Sequence, residues 1–437
     1  MNRLRILVLA PDCNPEGVSV ALVTYCHAAA HAQLHDVTLV IGPHSEAAVR
    51  RANAPFRTIE VIRMPWLERG YKWCLRRIFH GNFDNQMWTA FLYPFSVAFE
   101  WRAWRQLRRQ IFASEFDVVL RVSPITAVLP SPFAFFLRKG PLPFVIGPVS
   151  GGLPWPSGFR QLTRQKEWIS NFRNLYRRLP FARSTYRHAT AIIAASSQTY
   201  AEFVVYRDKL FFVPENGVSK PLCSRATRYS KQSAKLQLIF VGSLVPRKAC
   251  DLALRAAATL LRNDLAHFSI LGDGPERGGL EQLVRSLGIE TAVSFYGWQS
   301  HAEVLTRLQC ADVMVFPSLR DFGGGVVFEA LAVGVVPVVV DFGGPGDIIQ
   351  SEVGYKVPLT NESDIVSQIE KILLDLTQDP DLLDRLRQQG MSYARERLTW
   401  DAKAQIVTGI LTWAVKRGSK PDLPPPKLLP ADIGSSR

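Results

Sequence analysis

The sequence predicts an α/β protein made of two doubly wound, Rossmann-like domains that face a central cleft. Three observations predict it: 437 residues of which 47% are hydrophobic, short apolar runs that alternate with longer periodic segments, and a polar stretch near the middle. The length exceeds that of one typical domain, and repeated strand-helix-strand order is typical of a parallel sheet covered by helices on both faces. We therefore predict one such sheet on each side of the polar stretch.

The first half contains a series of short apolar runs with the length of buried strands. These runs are RILVLA at 5–10, DVTLVIG at 36–42, DVVL at 117–120, PFVIG at 143–147 and TAIIAAS at 190–196, with a helix predicted over about 18–33. The series predicts an N-terminal domain over residues 1–215. A polar stretch at 214–235 has no apolar periodicity, and we predict that it is the interdomain linker.

A second series of the same kind follows the linker. Its predicted strands are LQLIFVG at 236–242, HFSILG at 267–272, VSFYG at 293–297, DVMVFPS at 313–319 and VVPVVV at 335–340. With a charged helical stretch over about 362–397, it predicts a C-terminal domain at 236–397. In such folds the ligand lies at the carboxyl ends of the strands, so we expect the active site in the cleft between the domains.

The last part of the chain is predicted to contribute little to that second domain. Residues 400–416 are a predicted closing helix that can pack back on the N-terminal domain. Residues 418–437 are rich in proline, and we predict that this tail is disordered.

The net charge of +14 is distributed very unevenly along the chain. Residues 1–219 hold 27 Lys and Arg against 14 Asp and Glu, whereas residues 220–437 hold 25 against 24. The excess lies mainly in three segments that also carry aromatic residues: 63–81, 101–112 and 160–188. Such a surface suits an anionic membrane or a phosphate-bearing acceptor, and nucleic acid would also suit it. Long arginine stems that cover solvated helix faces are the alternative interpretation.

Cysteines, histidines and apolar stretches exclude several classes of protein. The six cysteines contain no C-x-x-C pair, which favours reduced, buried thiols over disulfides or a zinc site. His27, His31 and His35 share four-residue spacing, but no carboxylate or cysteine pattern joins them, so we predict no metal site.

The N-terminal apolar run is too short for a secretory signal, and TAFLYPFSVAF at 89–99 is too short to cross a bilayer. We expect an intracellular, cytoplasmic protein that can lie peripherally on the inner face of the membrane.

Three consecutive glycines carry the most informative chemistry of the second half. They separate the strand predicted to end at 319 from a helix predicted to begin near Val326. Amide groups at a helix N-terminus point outward and favour an anion such as a phosphate. The amides of Gly324, Gly325 and Val326 are therefore candidate donors to a diphosphate.

Two carboxylates flank this glycine turn. Asp321 precedes it, and Glu329 follows after seven intervening residues, so both can reach one ligand and accept hydrogen bonds from its hydroxyl groups. This pattern resembles the C-terminal domain of the family-4 retaining glycosyltransferases of the GT-B fold. The resemblance implies that Glu329 holds the ribose of a nucleotide sugar. It also implies that Asp321, where the family has glutamate, contacts the donor sugar.

A second segment, FVGSLVPRKACDLALRAAATLL at 240–261, is similar to the family's strand and loop that end in a lysine. Lys248 falls on that lysine, which implies that it neutralises the diphosphate as it leaves. Ser243 stands where the family often has arginine, and Arg247 can supply the missing charge. Arg121 stands where many relatives have a histidine, so this catalytic candidate is absent.

Weaker matches surround these motifs. Gly272 and Asp273 belong to a strand-to-helix turn similar to the family's, although such turns are common. Trp298 follows a predicted strand at the position where the family's loop borders the nucleotide base, so it either stacks on the base or packs in the core.

The predicted N-terminal domain supplies the candidates for the acceptor side. Gly151, Gly152 and Trp155 lie in GPVSGGLPWPSGF at 147–159, which resembles an acceptor-side glycine loop of some relatives, although a structural turn is an equal alternative. Gly17 matches the family's first loop weakly.

The resemblance, which is strong over 236–358 and looser over 1–215, implies a hexosyltransferase-type enzyme of polysaccharide biosynthesis. It would transfer a sugar with retention, from a nucleoside-diphosphate sugar as co-substrate to a saccharide or lipid-linked acceptor hydroxyl, without a metal or other cofactor. No nucleic-acid partner is expected. A nucleotide-sugar epimerase and a non-catalytic GT-B partner subunit are the alternatives. The absence of a histidine from the matched motifs counts against the epimerase.

Overall fold

A computed structural model of the chain describes residues 3–65, 92–140, 142–151, 153, 156, 159, 178–224 and 235–428. The chain divides into two compact units, which are described separately. The first unit comprises Met1–Gly152, Glu167–Glu215 and Lys403–Leu428, and the second comprises Leu153–Lys166, Asn216–Ala402 and Leu429–Arg437.

The first unit is built on a sheet of parallel strands in the order β3-β2-β1-β4-β5-β6-β7. The strands are β1 Arg5–Leu9, β2 Asp36–Ile41, β3 Thr58–Val61, β4 Val118–Arg121, β5 Phe144–Val149, β6 Ala191–Ala194 and β7 Leu210–Phe212. Its helices are α1 Val20–Leu34, α2 Glu46–Arg51, α3 Tyr93–Phe112, α4 Pro132–Phe136, α5 Ala182–His188 and α6 Ser197–Glu202. The central strands are buried on both faces, which explains their continuous apolar sequences.

The structure confirms the predicted strands of this unit and adds two that the pattern missed. Both missed strands, β3 and β7, lie at the edges of the sheet and have only four and three residues. Such short segments give too few positions for an apolar pattern to be recognised.

The second unit contains a parallel sheet in the order β10-β9-β8-β11-β12-β13. Its strands are β8 Leu236–Val241, β9 Ala266–Leu271, β10 Val293–Gly297, β11 Val313–Phe316, β12 Val336–Val340 and β13 Tyr355–Val357. Its helices are α7 Lys220–Ser224, α8 Cys250–Arg262, α9 Arg277–Leu287, α10 His301–Gln309, α11 Gly325–Val333, α12 Gly343–Ile348, α13 Glu362–Gln378 and α14 Pro380–Tyr393. This strand order is that of a Rossmann fold.

One prediction about the second half needs correction, and another gains detail. Helix α7 lies inside the predicted linker, of which residues 225–234 are outside the described residues. The helical stretch predicted over about 362–397 is helical and consists mainly of α13 and α14, which are separated because Asp379 caps α14 by accepting from Leu382 N at 2.8 Å and Pro380 begins the new helix.

The C-terminal segment packs on the first unit. Helix α15, Trp400–Lys416, contributes Val407, Ile410, Leu411 and Ala414 to a core shared with β1 and β2. Leu423 packs against the same core, and Lys420 Nζ donates to Arg207 O at 2.7 Å. The prediction of disorder is therefore wrong for 418–428, and residues 429–437 lie outside the described part of the chain.

Helix α1 and the residue that ends it, His35, bury three histidines within the first unit. His27 Nε2 lies 2.8 Å from Glu215 O, and His35 Nε2 lies 2.7 Å from Thr408 Oγ1. Burial lowers the pKa of His27 to about 4, so it is neutral near pH 7. These contacts show that the four-residue spacing marks the buried face of a helix. In the ranges that the structure describes, no helix has the length and apolar character needed to span a bilayer.

Candidate functional site

The strand order of the second sheet reverses between β8 and β11, and this reversal selects the candidate site. Chains that leave adjacent strands on opposite sides of a sheet open a crevice at the carboxyl ends, where ligands of doubly wound folds bind. Lys248 ends a single 3-10 turn, Pro246–Lys248, that follows β8, and Asp321 lies in the loop that follows β11. Two of the three principal candidates therefore lie at the switch point.

Lys248 and Asp321 form an ion pair in which Lys248 Nζ donates to Asp321 Oδ2. Their side chains are only 15% and 16% exposed. Asp321 Oδ1 also accepts from Gly324 N at 3.3 Å. Burial by itself would raise the pKa of Asp321, but the Lys248 ammonium, the Gly324 amide and the charge of Arg247 together lower it. The aspartate is therefore ionised at neutral pH, and it carries its charge next to the lysine.

Arg247 connects the lysine turn to the neighbouring strand. Its backbone carbonyl accepts from Leu319 N at 2.9 Å and from Ser318 Oγ at 3.3 Å. Its guanidinium charge acts on Asp321, as the lowered pKa of that carboxyl shows. The turn thus carries two cationic side chains, Arg247 and Lys248, at the switch point.

The glycine turn is held by direct packing of backbone on backbone. A Cβ on Gly343 would lie 2.2 Å from Asp321 O, and a Cβ on Gly344 would lie 2.2 Å from Phe322 O. Gly344 N donates to Asp321 O at 3.1 Å. These positions require glycine because a side chain would push the start of α12 away from the loop that follows β11.

Helix α11 begins at Gly325, one residue earlier than predicted. Gly324 is its N-cap and has φ +57°, a left-handed conformation that glycine adopts without strain. The first amides of a helix, in α11 those of Gly325 and Val326, have no acceptor within the helix. They are therefore candidate donors to an anion beside Lys248.

Glu329, one turn into α11, has a partner that the sequence motifs did not indicate. His301 Nε2 lies 2.7 Å from Glu329 Oε1, and the glutamate side chain is 22% exposed. The hydrogen bond to Glu329 raises the pKa of His301. His301 is the first residue of α10. Ser300 and Glu303 form a capping box at the start of this helix. That S-x-x-E signal could have located the helix start, but nothing in the local sequence places it against α11.

The predicted turn at Gly272 and Asp273 packs against the loop that contains Ser243. Gly272 has φ +134°, and a Cβ there would lie 1.9 Å from Gly242 O. Leu244 N donates to Asp273 O at 2.9 Å. The turn therefore fixes the loop after β8, and the Asp273 side chain stays half-exposed at the carboxyl edge of the sheet.

Trp298 directly follows β10 at the same edge of the sheet. Its side chain is 76% exposed, so the alternative of a packed core tryptophan is wrong. An exposed aromatic plane at the carboxyl edge of the sheet is available to stack on a planar ligand.

Of the predicted acceptor-side candidates, the two that the structure describes, Gly17 and Gly151, are engaged in contacts within the first unit. Gly151 N donates to Thr199 Oγ1 at 3.1 Å, and Gly151 O accepts from the same hydroxyl at 2.8 Å, so both backbone groups have partners within the unit. Gly17 N donates to Asn14 O at 3.2 Å in the loop after β1. Gly152 and Trp155 lie outside the described residues.

Arg121, at the end of β4, is buried in an ion pair. Its Nε donates to Glu100 Oε1 at 2.8 Å, and the two side chains are 1% and 2% exposed. Glu100 also accepts from Ser131 Oγ and from Phe133 N. Arg121 donates a second hydrogen bond to Leu129 O at 2.8 Å, so this arginine is committed to the core.

The two Rossmann-like units define a protein of the GT-B fold, and comparison with known structures agrees. HepE of Anabaena, solved with UDP, has a TM-score of 0.62 at 16% identity and covers 94% of this chain and 100% of its own. The same protein has been solved with UDP-glucose, with a TM-score of 0.59. At this identity the likeness establishes the fold.

The sequence comparisons concern the second unit. Residues 227–393 match the family "Glycosyl transferases group 1". An uncharacterized glycosyltransferase of Methanocaldococcus jannaschii is 33% identical over 145 residues, 33% of this chain and 37% of that protein. The alpha-D-kanosaminyltransferase of Streptomyces kanamyceticus is 26% identical over 175 residues, 40% of this chain and 44% of that protein. The matched part is thus less than half the length of these curated relatives.

Proposed function

We propose that this chain is a retaining glycosyltransferase that transfers a sugar from a nucleoside-diphosphate sugar to an acceptor hydroxyl without a metal ion. One observation carries the proposal: cationic Lys248 lies at the switch point of a Rossmann-like sheet, where helix α11 begins with free amides and carries Glu329 one turn further on. Cations and amides suit a diphosphate, and a carboxylate suits a pair of ribose hydroxyls. Family-4 membership and retention rest on the motif resemblance.

Catalysis in this proposal is mainly electrostatic. The bond from the anomeric carbon to the diphosphate oxygen breaks, and the acceptor oxygen bonds to that carbon and releases its proton to water. The diphosphate leaves with an added negative charge. Lys248, Arg247 and the amides of Gly325 and Val326 stabilise that charge, the kind of preorganised contribution that is usually the largest in an enzyme. Trp298 stacks on the nucleotide base.

The comparisons support a transferase over other proteins of this fold. The family that matches 227–393 and the relatives named above are glycosyltransferases by description. The Anabaena protein, similar in fold over nearly the whole chain, binds UDP and UDP-glucose.

A panel of nucleotide sugars tests the proposal. Binding of uridine, guanosine and adenosine diphosphate sugars is measured by calorimetry, and release of the nucleoside diphosphate is then followed with saccharide and lipid-linked acceptors. We expect one donor to bind and to be consumed only when an acceptor is present. Absence of binding by every donor would contradict the proposal.

One observation favours the epimerase alternative. That reaction needs a proton-transfer group in the site, and His301 lies 2.7 Å from Glu329, where the sequence motifs had suggested no histidine. Incubation with a nucleotide sugar alone separates the two reactions. An epimerase converts the sugar without an acceptor, whereas a transferase leaves the donor intact apart from slow hydrolysis.

We propose further that the first unit binds an anionic membrane that presents a lipid-linked acceptor. Helix α3 buries Ala103, Leu107 and Ile111, whereas its outer face carries cationic and aromatic side chains. The exposed residues are Trp101, Arg102, Arg105, Arg108, Arg109 and Phe112. The guanidinium of Arg105 lies 4.9 Å from the centre of the Trp101 ring. Most of the basic segments at 63–81 and 160–188 lies outside the described residues.

Liposome flotation tests the membrane proposal. Wild-type protein should float with anionic vesicles at low salt and dissociate as salt screens the attraction. Arg105→Glu with Arg109→Glu should weaken flotation, whereas Arg285→Glu, an exposed charge reversal on α9 of the second unit, should not. Equal binding by all three proteins would contradict the proposal.

A further inference from the structure

Asp321 differs from the other candidate groups because each of its carboxylate oxygens already accepts a hydrogen bond from a protein donor. Oδ2 accepts from Lys248 Nζ, and Oδ1 accepts from Gly324 N at 3.3 Å. The side chain is 16% exposed, so little of it is available to a ligand. The motif resemblance had implied direct contact with the donor sugar, and this arrangement favours another role.

The backbone of Asp321 is fixed as firmly as its side chain. Its carbonyl accepts from Gly344 N at 3.1 Å, and the close approach of Gly343 leaves no space for the loop to shift toward that side. The aspartate arm is one methylene shorter than that of glutamate. Its carboxylate is therefore retained inside the turn, beside the lysine.

Lysine needs such a partner more than arginine does. Its ammonium is a point charge on a flexible four-carbon stem, and fixing it costs rotamer entropy. Lys248 lies at the end of a three-residue turn, and its ammonium is also 4.7 Å from the centre of the Phe316 ring. With both Asp321 and Phe316 as partners, the ammonium has a defined position before any ligand binds.

We infer that Asp321 is a positioning residue, which holds the Lys248 ammonium beside the N-terminus of α11 so that it meets the donor diphosphate, and that it does not recognise the donor sugar. The inference rests on the proposed function. It assigns recognition of the donor sugar to other groups of the site. It also explains why this position holds aspartate where the similar family has glutamate, because the shorter arm keeps the carboxylate beside the lysine. The lysine and the α11 amides then act on the diphosphate as one preset group.

The matched control lies at the opposite end of the same strand. Asp312, just before β11, is paired with Arg387, and its second oxygen accepts from Gln237 N at 2.8 Å. Its side chain is 13% exposed. Asp312→Asn therefore removes a similarly buried, similarly paired carboxylate far from the carboxyl edge of the sheet.

The test compares Asp321→Asn with Asp312→Asn in the full-length protein. For each protein we measure kcat and two dissociation constants, one for UDP and one for UDP-glucose. If the donor panel selects a guanosine or adenosine donor, that nucleoside diphosphate and its sugar replace this pair. We expect Asp321→Asn to change both dissociation constants by the same factor, because its effect acts through the shared diphosphate. We also expect kcat to fall by about 10–100-fold, as misplaced catalytic groups do. Asp312→Asn should change neither, even where it lowers the unfolding midpoint.

Two results would overturn the inference. Weakened binding of the nucleotide sugar with unchanged binding of the nucleoside diphosphate would show that Asp321 touches the sugar. Equal effects of the two variants on kcat would show a purely structural role. If the wild-type protein binds neither ligand, the proposed function itself fails and the inference fails with it.

Discussion

The two sheets carry a charge pair near the same topological position, but the pairs differ in exposure. In the first unit, Arg121 ends β4 next to β1, and its pair with Glu100 is about 1–2% exposed. In the second unit, Lys248 and Asp321 follow β8 and β11, and their side chains are 15% and 16% exposed. A fully buried pair stabilises a fold only as a complete unit, whereas the Lys248 ammonium can meet a ligand while Asp321 holds it. This difference is consistent with the donor site that we propose at the switch point of the second unit.

Breaking the buried pair should destabilise the fold more than any of the other substitutions. Arg121→Met leaves Glu100 as an uncompensated buried charge, which typically costs about 3–5 kcal/mol. Urea denaturation followed by circular dichroism measures this loss. The double variant Arg121→Met with Glu100→Gln should recover part of it. Unchanged stability of the single variant would contradict the comparison.

Breaking the pair of Lys248 and Asp321 should instead slow sugar transfer. Lys248→Ala removes the cation that faces the leaving diphosphate, and we expect transfer to fall by about 100–1,000-fold, as for the loss of one preorganised charge-stabilising group. Nucleoside-diphosphate release measures it, with unfolding midpoints as the control for folding. Near-normal turnover would remove Lys248 from the site.

A substitution of Glu329 tests contacts to the ribose separately from contacts to the diphosphate. Glu329→Ala should weaken nucleoside-diphosphate binding by about 10–100-fold, the value of one or two hydrogen bonds to a charged group. The effect should shrink when the ligand is a 2′-deoxynucleoside diphosphate, because one hydroxyl partner is absent. Calorimetry with both ligands decides this, and an equal loss for both would show that Glu329 does not hold that hydroxyl.

The smallest effect concerns pH and His301. Its pKa is raised in the folded chain, so its stabilising contribution is complete below its unfolded pKa of 6.5 and is lost as pH rises through the folded value. The side chain is 65% exposed, which limits the effect to less than about 1 kcal/mol. The stability difference between wild type and His301→Ala should therefore be larger near about pH 5.5 than near about pH 8.5. A difference that grows with pH would contradict this pairing.

How much the sequence predicted depends on how local each feature is. Strands such as β6 and β11 were predicted because burial on both faces leaves an unbroken apolar run. The glycine turn and Lys248 were predicted because their motifs are contiguous. The pairing of Lys248 with Asp321 was not, since it joins residues 73 positions apart through the packing of three loops. His301 was missed for the same reason, because the helix that carries it meets α11 only in the folded unit.

The central claim is that the second unit holds the donor at its switch point. Hydrogen exchange with and without a bound nucleoside diphosphate is its most direct test. The full-length protein is compared alone and with saturating UDP, or with the diphosphate that the donor panel selects. We expect new protection concentrated in segments 243–249, 297–301 and 321–329. Protection confined to the first unit, with these three segments unchanged despite measured binding, would contradict the account.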